Sequence, residues 1–263
     1  MKRTEMLTYL IDALCKERNT TVDDERLDYS WESFRALVNT RPPKWPDDEF
    51  LSIQDQLLQE EIAHKGITHA CDLPASRCDK RLSLWQGDIT TLEIDAIVNA
   101  ANAKLLGCWI PGHHCIDNAI HTYAGVQLRY ACNEIMQKQG HDEPAGQAKI
   151  TPGFNLPARY VLHTIGPIVM EGLTREDCTT LAQCYRSCLD LATQNQLARV
   201  AFCCISTGVF GFPQQEAAAI AVDTVIEWLD THDSTIEQVV FNVFLDKDFE
   251  LYQELLDLDD VWS

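Results

Sequence analysis

The stretch RLSLWQGDITTLEIDAIVNAANAKLLG, residues 81–107, contains two short apolar segments with the character of β-strands. The first is RLSLWQG at 81–87, and the second, DAIVNAA at 95–101, is apolar on both faces. Beyond this stretch, strand-like and helix-like segments alternate. Further strands are predicted at 158–166, 198–206 and 236–244, and helices at 115–139, 175–196, 215–232 and 248–258. This alternation predicts an α/β fold in which helices cover both faces of a largely parallel sheet.

The first 75 residues differ from the rest because they have a helical pattern and contain no Gly-rich or metal-spaced motif. DEFLSIQDQLLQEEIAHKG (48–66) places apolar residues near helical period and ends on a glycine. An earlier helix around 31–38 precedes the helix-breaking segment RPPKWPDD (41–48). We therefore predict an N-terminal helical extension over 1–75 and a main domain over 76–263. The extension is either a structural layer on the main domain or an arm that docks a partner.

The charge of the chain restricts its partners. The 263 residues include 21 Lys and Arg against 40 Asp and Glu, which leaves a formal net charge of −19. A chain this acidic repels duplex nucleic acid and anionic membrane surfaces, so we expect neither as a partner. An anionic ligand is still possible if backbone N–H groups and helix N-termini bind it.

The sequence also predicts a cytoplasmic protein. The apolar run at its start is too short for a secretory signal, and no segment approaches the roughly 20 apolar residues of a membrane span. The 11 cysteines are odd in number and scattered along the chain. This usage favours free thiols in a reducing compartment, with a few of them bound to metal.

The segment GCWIPGHHCIDNAIH (107–121) concentrates soft ligands between a predicted strand and a predicted helix. Cys108, His113 and Cys115 have the spacing C-x4-H-x-C. Zinc accepts cysteine sulfur and histidine nitrogen, and three protein ligands leave a fourth position open, as in catalytic zinc sites. The alternative is a loop of unrelated thiols and imidazoles. The spacing leaves open whether His113 or His114 is the ligand.

The segment STGVFGFP (206–213) follows a predicted buried strand and precedes a predicted helix. Its glycines allow a tight turn that presents consecutive N–H groups, and the helix dipole favours a negative guest. The segment lacks both the Gly-Lys-Ser/Thr of a Walker A loop and the GxGxxG of a dinucleotide site. Taken alone, it is equally compatible with a purely structural turn.

Polar residues follow the first two predicted strands. Asp88 comes after the first strand, and Asn99 and Asn102 stand at the end of the second. Side chains of these types can hold a ribose hydroxyl and a purine amino group. The alternative for each of them is ordinary turn chemistry at the end of a strand.

The order of these motifs points to a family. QGDITTLEIDAIVNAANAKLLG, CIDNAIHTYAG and CISTGVFGFP, in that order, resemble the macrodomain family of ADP-ribose-binding proteins over roughly residues 80–260. GCWIPGHHCIDNAIHTYAGVQLR resembles the zinc-dependent subclass, because CWIPGHHC (108–115) stands where other hydrolytic macrodomains carry a run of glycines. The resemblance implies a three-layer α/β/α macrodomain over 76–263 with a mixed, largely parallel central sheet. Proteins of the zinc subclass also carry an N-terminal helical extension.

The resemblance also implies a set of site residues. These are Cys108, His113 and Cys115 as ligands of one zinc ion per chain; Asp88 and Ile89 at the adenine, with Phe244 as a weaker candidate; Asn102 at the distal ribose, with Asn99 beside it; and Ser206, Thr207, Gly208, Val209 and Phe210 around the diphosphate. Asp117 matches the acidic residue of other hydrolytic macrodomains and would accept a proton or orient water. Asn102 joins it in the predicted catalytic set. His121, one helical turn beyond Asp117, is either a structural partner or a third catalytic residue.

The function implied by the resemblance is zinc-dependent hydrolysis that removes mono-ADP-ribose from modified protein side chains and releases ADP-ribose. A mono-ADP-ribosylated protein would be the substrate, with acidic side chains as the first expectation for the linkage. One alternative is a module that binds ADP-ribose without cleaving anything. Another is a hydrolase of free O-acyl-ADP-ribose, which would use the same pocket.

Overall fold

The computed structural model describes residues 1–258, so the last five residues of the predicted main domain, 259–263, lie outside the described part. The strands are β1 (Thr68–His69), β2 (Leu82–Gln86), β3 (Leu92–Glu93), β4 (Ala96–Ala100), β5 (Ala148–Pro152), β6 (Tyr160–Thr164), β7 (Arg199–Phe202) and β8 (Gln238–Val243). The α-helices are α1 (Arg3–Glu17), α2 (Trp31–Asn39), α3 (Asp48–Lys65), α4 (Ile116–Ala124), α5 (Val126–Gln139), α6 (Arg175–Gln194), α7 (Gln214–Thr231) and α8 (Asp246–Leu255). Two 3₁₀ turns cover Ala70–Asp72 and Ile89–Thr91.

Within residues 1–258, one sheet of six strands has the order β2-β8-β7-β4-β6-β5. Neighbouring strands run parallel, except that β5 pairs antiparallel with β6 at one edge. The central strands are almost entirely buried, as expected where helices cover both faces. The predicted mixed, largely parallel sheet is confirmed. A separate two-residue parallel pair joins β1 to β3.

Two sets of helices cover the sheet and give the predicted three layers. Helices α6, α7 and α8 contact one another in sequence, and α6 and α8 also pack on the strands. Helices α4 and α5 pack on β4 and β5. Their apolar side chains form one continuous core with the sheet. Among the described residues, none of the helices has both the length and the apolar character needed to cross a lipid bilayer.

The predicted single helix over 115–139 is wrong. Gly125 has φ +96°, which ends α4, and α5 begins at the next residue. This positive φ strains any other residue, and a Cβ atom on Gly125 would also have to displace the side-chain ends of Gln127 and Gln54, which lie 2.4 Å and 2.7 Å from it. The apolar periodicity continues through the break because both helices face the same core, and this concealed the break in the sequence pattern.

Two strand predictions also need correction. The strand predicted at 198–206 ends earlier, since β7 stops at Phe202 and Cys203 and Cys204 belong to the following loop. The edge strand β5 was not predicted at all, because it is short and ends on Pro152. An edge position tolerates a proline that a central strand would exclude.

The N-terminal helices have a small apolar core of their own. Its buried members are Met6, Leu7, Leu10, Ile11, Leu14, Cys15, Phe34, Leu37, Val38, Phe50, Ile53, Leu57, Leu58 and, from α5, Val126. Helices α2 and α3 also contact α4. The extension therefore packs directly on the helix that follows the Cys/His-rich segment.

Candidate functional site

A cavity of about 660 Å³ opens at the carboxyl-terminal edge of the sheet. Its walls include Ala101 and Asn102 after β4, Gly166 after β6, Cys203 to Phe210 after β7 (without Ile205), Phe244 after β8, and residues 106–110 and 113–117. Open α/β sheets bind ligands at this edge, and the volume falls within the roughly 300–1,000 Å³ of small-molecule sites. The cavity can therefore take a nucleotide-sized ligand.

One side of the cavity carries the predicted metal ligands. The ligand atoms of Cys108, His113 and Cys115, called here the outer cluster, all lie within 4.8 Å of one another. The Cys108 Sγ to His113 Nδ1 distance is 3.5 Å. His113 is the imidazole in this cluster, whereas His114 is exposed on the cavity lining. All three ligands of the outer cluster are half-buried and line the cavity.

The backbone around the outer cluster explains how three ligands meet within eight residues. Gly107, with φ +76°, begins the Cys/His loop, defined here as residues 107–115. A Cβ on Gly107 would lie 2.8 Å from His121 Cγ, so the loop needs a glycine to pass over that ring. Cys115 is the N-cap of α4, and its Sγ accepts from Asn118 N at 3.4 Å. Burial raises the pKa of the Cys115 thiol to about 12 in the metal-free protein.

Asp117 lies in the first turn of α4, on the cavity wall and beside the outer cluster. Its Oδ1 accepts from Asn99 Nδ2 at 2.8 Å, and its Oδ2 accepts from Asn102 Nδ2 at 3.3 Å. Burial raises the pKa of this carboxyl to about 6, against the opposing effect of the Asn99 hydrogen bond. The carboxylate is therefore held in a fixed orientation by two amides.

Behind Asp117 lies a second group of ligand-type side chains, the inner cluster of His121, Cys132 and His163. All three residues are buried, and their ligand atoms also lie within 4.8 Å of one another. His121 Nε2 is 3.6 Å from Asp117 Oδ1, and neither ring nitrogen has a hydrogen-bond partner among residues 1–258. Burial lowers the pKa of His121 well below its ordinary value. His121 therefore sits behind the cavity as a neutral ring and does not line it.

The opposite side of the cavity is formed by the 206–211 loop. All five predicted residues, Ser206 to Phe210, line the cavity, and Ser206 has φ +65°. The loop is closed by hydrogen bonds from Gly211 N to Gly208 O and from Phe212 N to Ser206 O, both 3.0 Å. It leads directly into α7, which begins at Gln214. The loop therefore presents backbone at the start of a helix, where anions are favoured.

Some predicted ligand residues lie outside this lining. Asn99 is completely buried beneath Asp117. Asp88 caps the 3₁₀ turn, its Oδ2 accepts from Lys65 Nζ at 2.7 Å, and its Oδ1 accepts from Thr90 Oγ1 at 2.6 Å. The neighbouring Ile89 is buried in the core. The weaker candidate Phe244, by contrast, lines the cavity and is 75% exposed.

Gly166 belongs to the cavity, but the sequence analysis did not select it. A Cβ on Gly166 would lie 1.9 Å from Ser206 Oγ, so this glycine lets the segment after β6 approach the 206–211 loop. Its place at the end of a predicted strand is a signal that could have identified it. The residues of the extension that touch the Cys/His loop, Arg35 and Asn39, carry no such local signal.

Comparison with known proteins places this geometry in context. The family model described as Macro domain matches residues 98–221. A protein of Treponema medium named protein-ADP-ribose hydrolase is 52% identical over 263 residues, which covers 97% of this chain and 100% of that protein. A protein of the same name from Staphylococcus aureus strain Mu50 is 50% identical over 257 residues, with 96% of each chain covered.

Solved structures agree with the sequence comparison. A mutant of the Oceanobacillus iheyensis macrodomain with ADPR is 41% identical, with a TM-score of 0.61, and covers 67% of this chain and 91% of its own. The Trypanosoma brucei macrodomain in complex with ADP-ribose is 29% identical, with a TM-score of 0.64, and covers 84% of this chain and 94% of its own.

Proposed function

The chain belongs to the macrodomain family, and from that premise we propose that it is a zinc-dependent hydrolase that removes mono-ADP-ribose from modified protein side chains. Removal of ADP-ribose from proteins is the activity named for its relatives at 52% and 50% identity. To that activity we add the zinc dependence and the mono-ADP-ribose substrate. One observation carries them: the outer cluster and Asp117 share a cavity with the 206–211 loop.

The donor set of the outer cluster fits zinc. Zinc bonds of about 2.3 Å to sulfur and about 2.0 Å to nitrogen, at a tetrahedral angle, separate the two ligand atoms by about 3.5 Å. The Cys108 Sγ to His113 Nδ1 distance is 3.5 Å. Cys108, His113 and Cys115 would hold the ion, and the fourth position would face the cavity. When bound, the ion would supply Lewis-acid catalysis beside the scissile bond.

The remaining residues would bind and orient the substrate. The backbone N–H groups of the 206–211 loop would bind the diphosphate, since anions are stabilised at helix N-termini. Asn102, which lines the cavity, would face the distal ribose. This placement would bring C1 of that ribose towards Asp117.

Asp117 would orient the attacking water or accept a proton from it. Asn99 and Asn102 orient its two oxygens, and a pKa of about 6 lets the carboxylate act as a base near neutral pH. Positioned proton transfer of this kind contributes typically about 10²–10⁴-fold to a rate. His121 would support the carboxylate from behind, because it lies outside the cavity lining.

Phe244 and Asp88 would contact the adenine end of ADP-ribose. Phe244 is exposed on the cavity rim and is available to stack on a base. Asp88 accepts hydrogen bonds from Lys65 and Thr90, and its carboxylate oxygens have further acceptor positions for the adenine amino group. Calorimetry of Asp88→Ala with ADP-ribose measures this contribution directly.

One experiment tests the proposal. The purified protein is analysed for zinc and then incubated with proteins ADP-ribosylated on Asp/Glu, on Ser or on Arg, and with free O-acyl-ADP-ribose. We expect about one zinc per chain and release of ADP-ribose from the acidic linkage. Chelation should stop the release, and added zinc should restore it.

Two controls separate the alternatives. Metal-free protein should still bind ADP-ribose, which shows that chelation removes the chemistry and leaves the cleft intact. A zinc-free preparation that cleaves at the full rate would contradict the metal's role. Binding without release from any substrate would identify a reader module, and release only from O-acyl-ADP-ribose would identify the deacylase.

A further inference from the structure

We infer that helix α2 of the N-terminal extension positions the Cys/His loop, with Arg35 and Asn39 as the positioning residues. This inference rests on the proposed zinc site, which it deepens by assigning the order of the loop to a different part of the chain. Neither residue touches the cavity; both act through hydrogen bonds to backbone groups of the loop and to Asn118 of α4.

Arg35 connects α2 to the backbone of a predicted metal ligand. Its Nη2 donates to His113 O at 2.8 Å and to Asn118 Oδ1 at 2.8 Å, and its Nε donates to the same Oδ1 at 3.2 Å. The planar guanidinium can bridge two acceptors in this way, which a lysine ammonium does less well. The contact holds the peptide plane that follows His113 and so restricts where its imidazole can point.

Asn39 holds the loop one residue earlier. Its Oδ1 accepts from Gly112 N at 3.0 Å and from Asn118 Nδ2 at 2.9 Å. Its Nδ2 donates in the other direction, to Thr122 Oγ1 at 3.0 Å. Both Asn39 and Asn118 are at most 1% exposed, so these bonds form in a low-dielectric setting where an unmade bond is costly.

Asn118 completes the connection from the α4 side. Its Nδ2 also donates to Ile110 O at 3.1 Å, and its backbone N–H donates to Cys115 Sγ. The loop is therefore held at the backbone of residues 110, 112 and 113, between two of the proposed ligands. Such a loop does not need to be ordered by the metal itself.

Arg129 links the residue before the Cys/His loop to the carbonyl groups at and just after the end of α2. Its guanidinium donates to Leu106 O at 2.6 Å, just before the loop, and to the carbonyls of Val38, Asn39 and Arg41 at the end of α2. It also lies over the Trp109 ring, 4.5 Å from the centroid. The last carbonyls of a helix lack intrahelical partners and favour a cation, so α2 is a suitable anchor for Arg129.

The consequence is a pre-ordered ligand set. Residues that orient metal ligands from outside the coordination sphere typically change metal affinity by about 10–100-fold when removed. We expect a loss in this range for Arg35→Ala and for Asn39→Ala. Arg35 is only half-buried, so its variant carries the test even if the buried Asn39 variant folds poorly.

The experiment measures two quantities on the full chain. Amide hydrogen exchange of Gly112 and His113 is followed in the metal-free protein, and zinc affinity is measured by competition with a chelator. In Arg35→Ala, both amides keep their own acceptors, Asn39 Oδ1 and Ile110 O. Faster exchange of these amides, by about tenfold or more, together with weaker zinc binding, is therefore the expected sign of a loosened loop.

Two matched controls distinguish positioning from general stability. Arg3→Ala removes another arginine of the extension, one that pairs with Glu61 and does not contact the loop. Leu189→Ala removes a fully buried side chain of α6, so it destabilises the fold without touching the loop or the side chains that hold it. Both should keep wild-type loop exchange and zinc affinity.

The outcomes separate this inference from the proposed function. Unchanged loop exchange in Arg35→Ala, or an equal increase in Leu189→Ala, would overturn the positioning role. If the wild-type protein binds no zinc, the proposed function fails, whereas the exchange of the metal-free loop still decides whether α2 positions it.

Discussion

The outer and inner clusters contain the same kinds of ligand yet have opposite characters. Each brings cysteine sulfur and histidine nitrogen within 4.8 Å. The outer cluster is half-buried and lines the cavity, whereas the inner cluster is buried beneath Asp117. The comparison shows that proximity of soft ligands does not by itself define a metal centre, because access and uncommitted ligand atoms matter as well.

Hydrogen bonds already occupy His163 of the inner cluster, whereas both ring nitrogens of His121 are without one among residues 1–258. His163 Nδ1 is 3.2 Å from Asn99 Nδ2, and His163 Nε2 is 2.9 Å from Thr151 Oγ1 and 3.7 Å from Cys132 Sγ. Burial lowers the pKa of His163 to about 3 and raises the pKa of the Cys132 thiol, so the ring is neutral and the thiol protonated. Because His163 is hydrogen-bonded at both ring nitrogens and the inner cluster does not line the cavity, we propose a structural role for it.

Asp117 connects the two clusters. Asn99 Nδ2 lies within hydrogen-bond distance of both Asp117 Oδ1 and His163 Nδ1. His121, a member of the inner cluster, has its Nε2 3.6 Å from the same carboxylate oxygen of Asp117. The inner cluster thus supports the side chain that would work beside the outer one. This division of roles predicts different results for substitutions that look similar in the sequence.

The largest expected difference is between two cysteine variants. Cys115→Ala should lower the zinc content from about one per chain to none and reduce ADP-ribose release by about 10³-fold, because Lewis-acid stabilisation is worth several kcal/mol. Cys132→Ala should keep its zinc. Elemental analysis and turnover assays check both variants, and loss of zinc from Cys132→Ala would erase the distinction between the clusters.

A smaller effect is expected where the clusters meet. Asp117→Asn keeps the shape of the side chain but removes its ability to take a proton, so release of ADP-ribose should fall by about 10²-fold or more. Zinc content and ADP-ribose affinity should stay close to wild type. Full turnover of this variant would show that the outer cluster works without the carboxylate.

The smallest effect, when it is counted over a single pH unit, is on the pH dependence of stability. Unfolded His163 takes up a proton below about pH 6.5, whereas in the folded protein it does so only near pH 3. Stability should therefore fall as the pH drops from about 6.5 towards 3, by about 1.4 kcal/mol per pH unit from this residue. Chemical denaturation at a series of pH values should show a slope shallower by that amount for His163→Gln than for the wild-type protein.

Much of the fold could be predicted because period and turn chemistry are local. The strands around 81–87, 95–101 and 236–244 were recognisable from their apolar residues, and each lies within about two residues of its observed position. The break at Gly125 was missed because the apolar periodicity continues through it, and only the structure shows the positive φ that ends α4 there. Edge strand β5 was missed because its pairing is non-local.

The residues of the site also divide into those that a local sequence pattern predicts and those that only the folded structure brings together. The spacing of Cys108, His113 and Cys115, with Asp117 close behind, is contained in one short segment, so the sequence selected these residues. The sequence contains no sign that Lys65 of α3 donates to the carboxylate of Asp88, because the two residues meet only in the folded protein.

By itself, then, the sequence determined the alternation of strands and helices, the acidic charge, and the ligand types in the Cys/His loop, since each depends on residues close together in the chain. The tertiary structure decided which of two similar ligand groups faces the cavity, and that α2 contacts the loop 78 residues further along the chain, from Arg35 to His113. Such contacts depend on how helices pack in three dimensions, which no local pattern encodes.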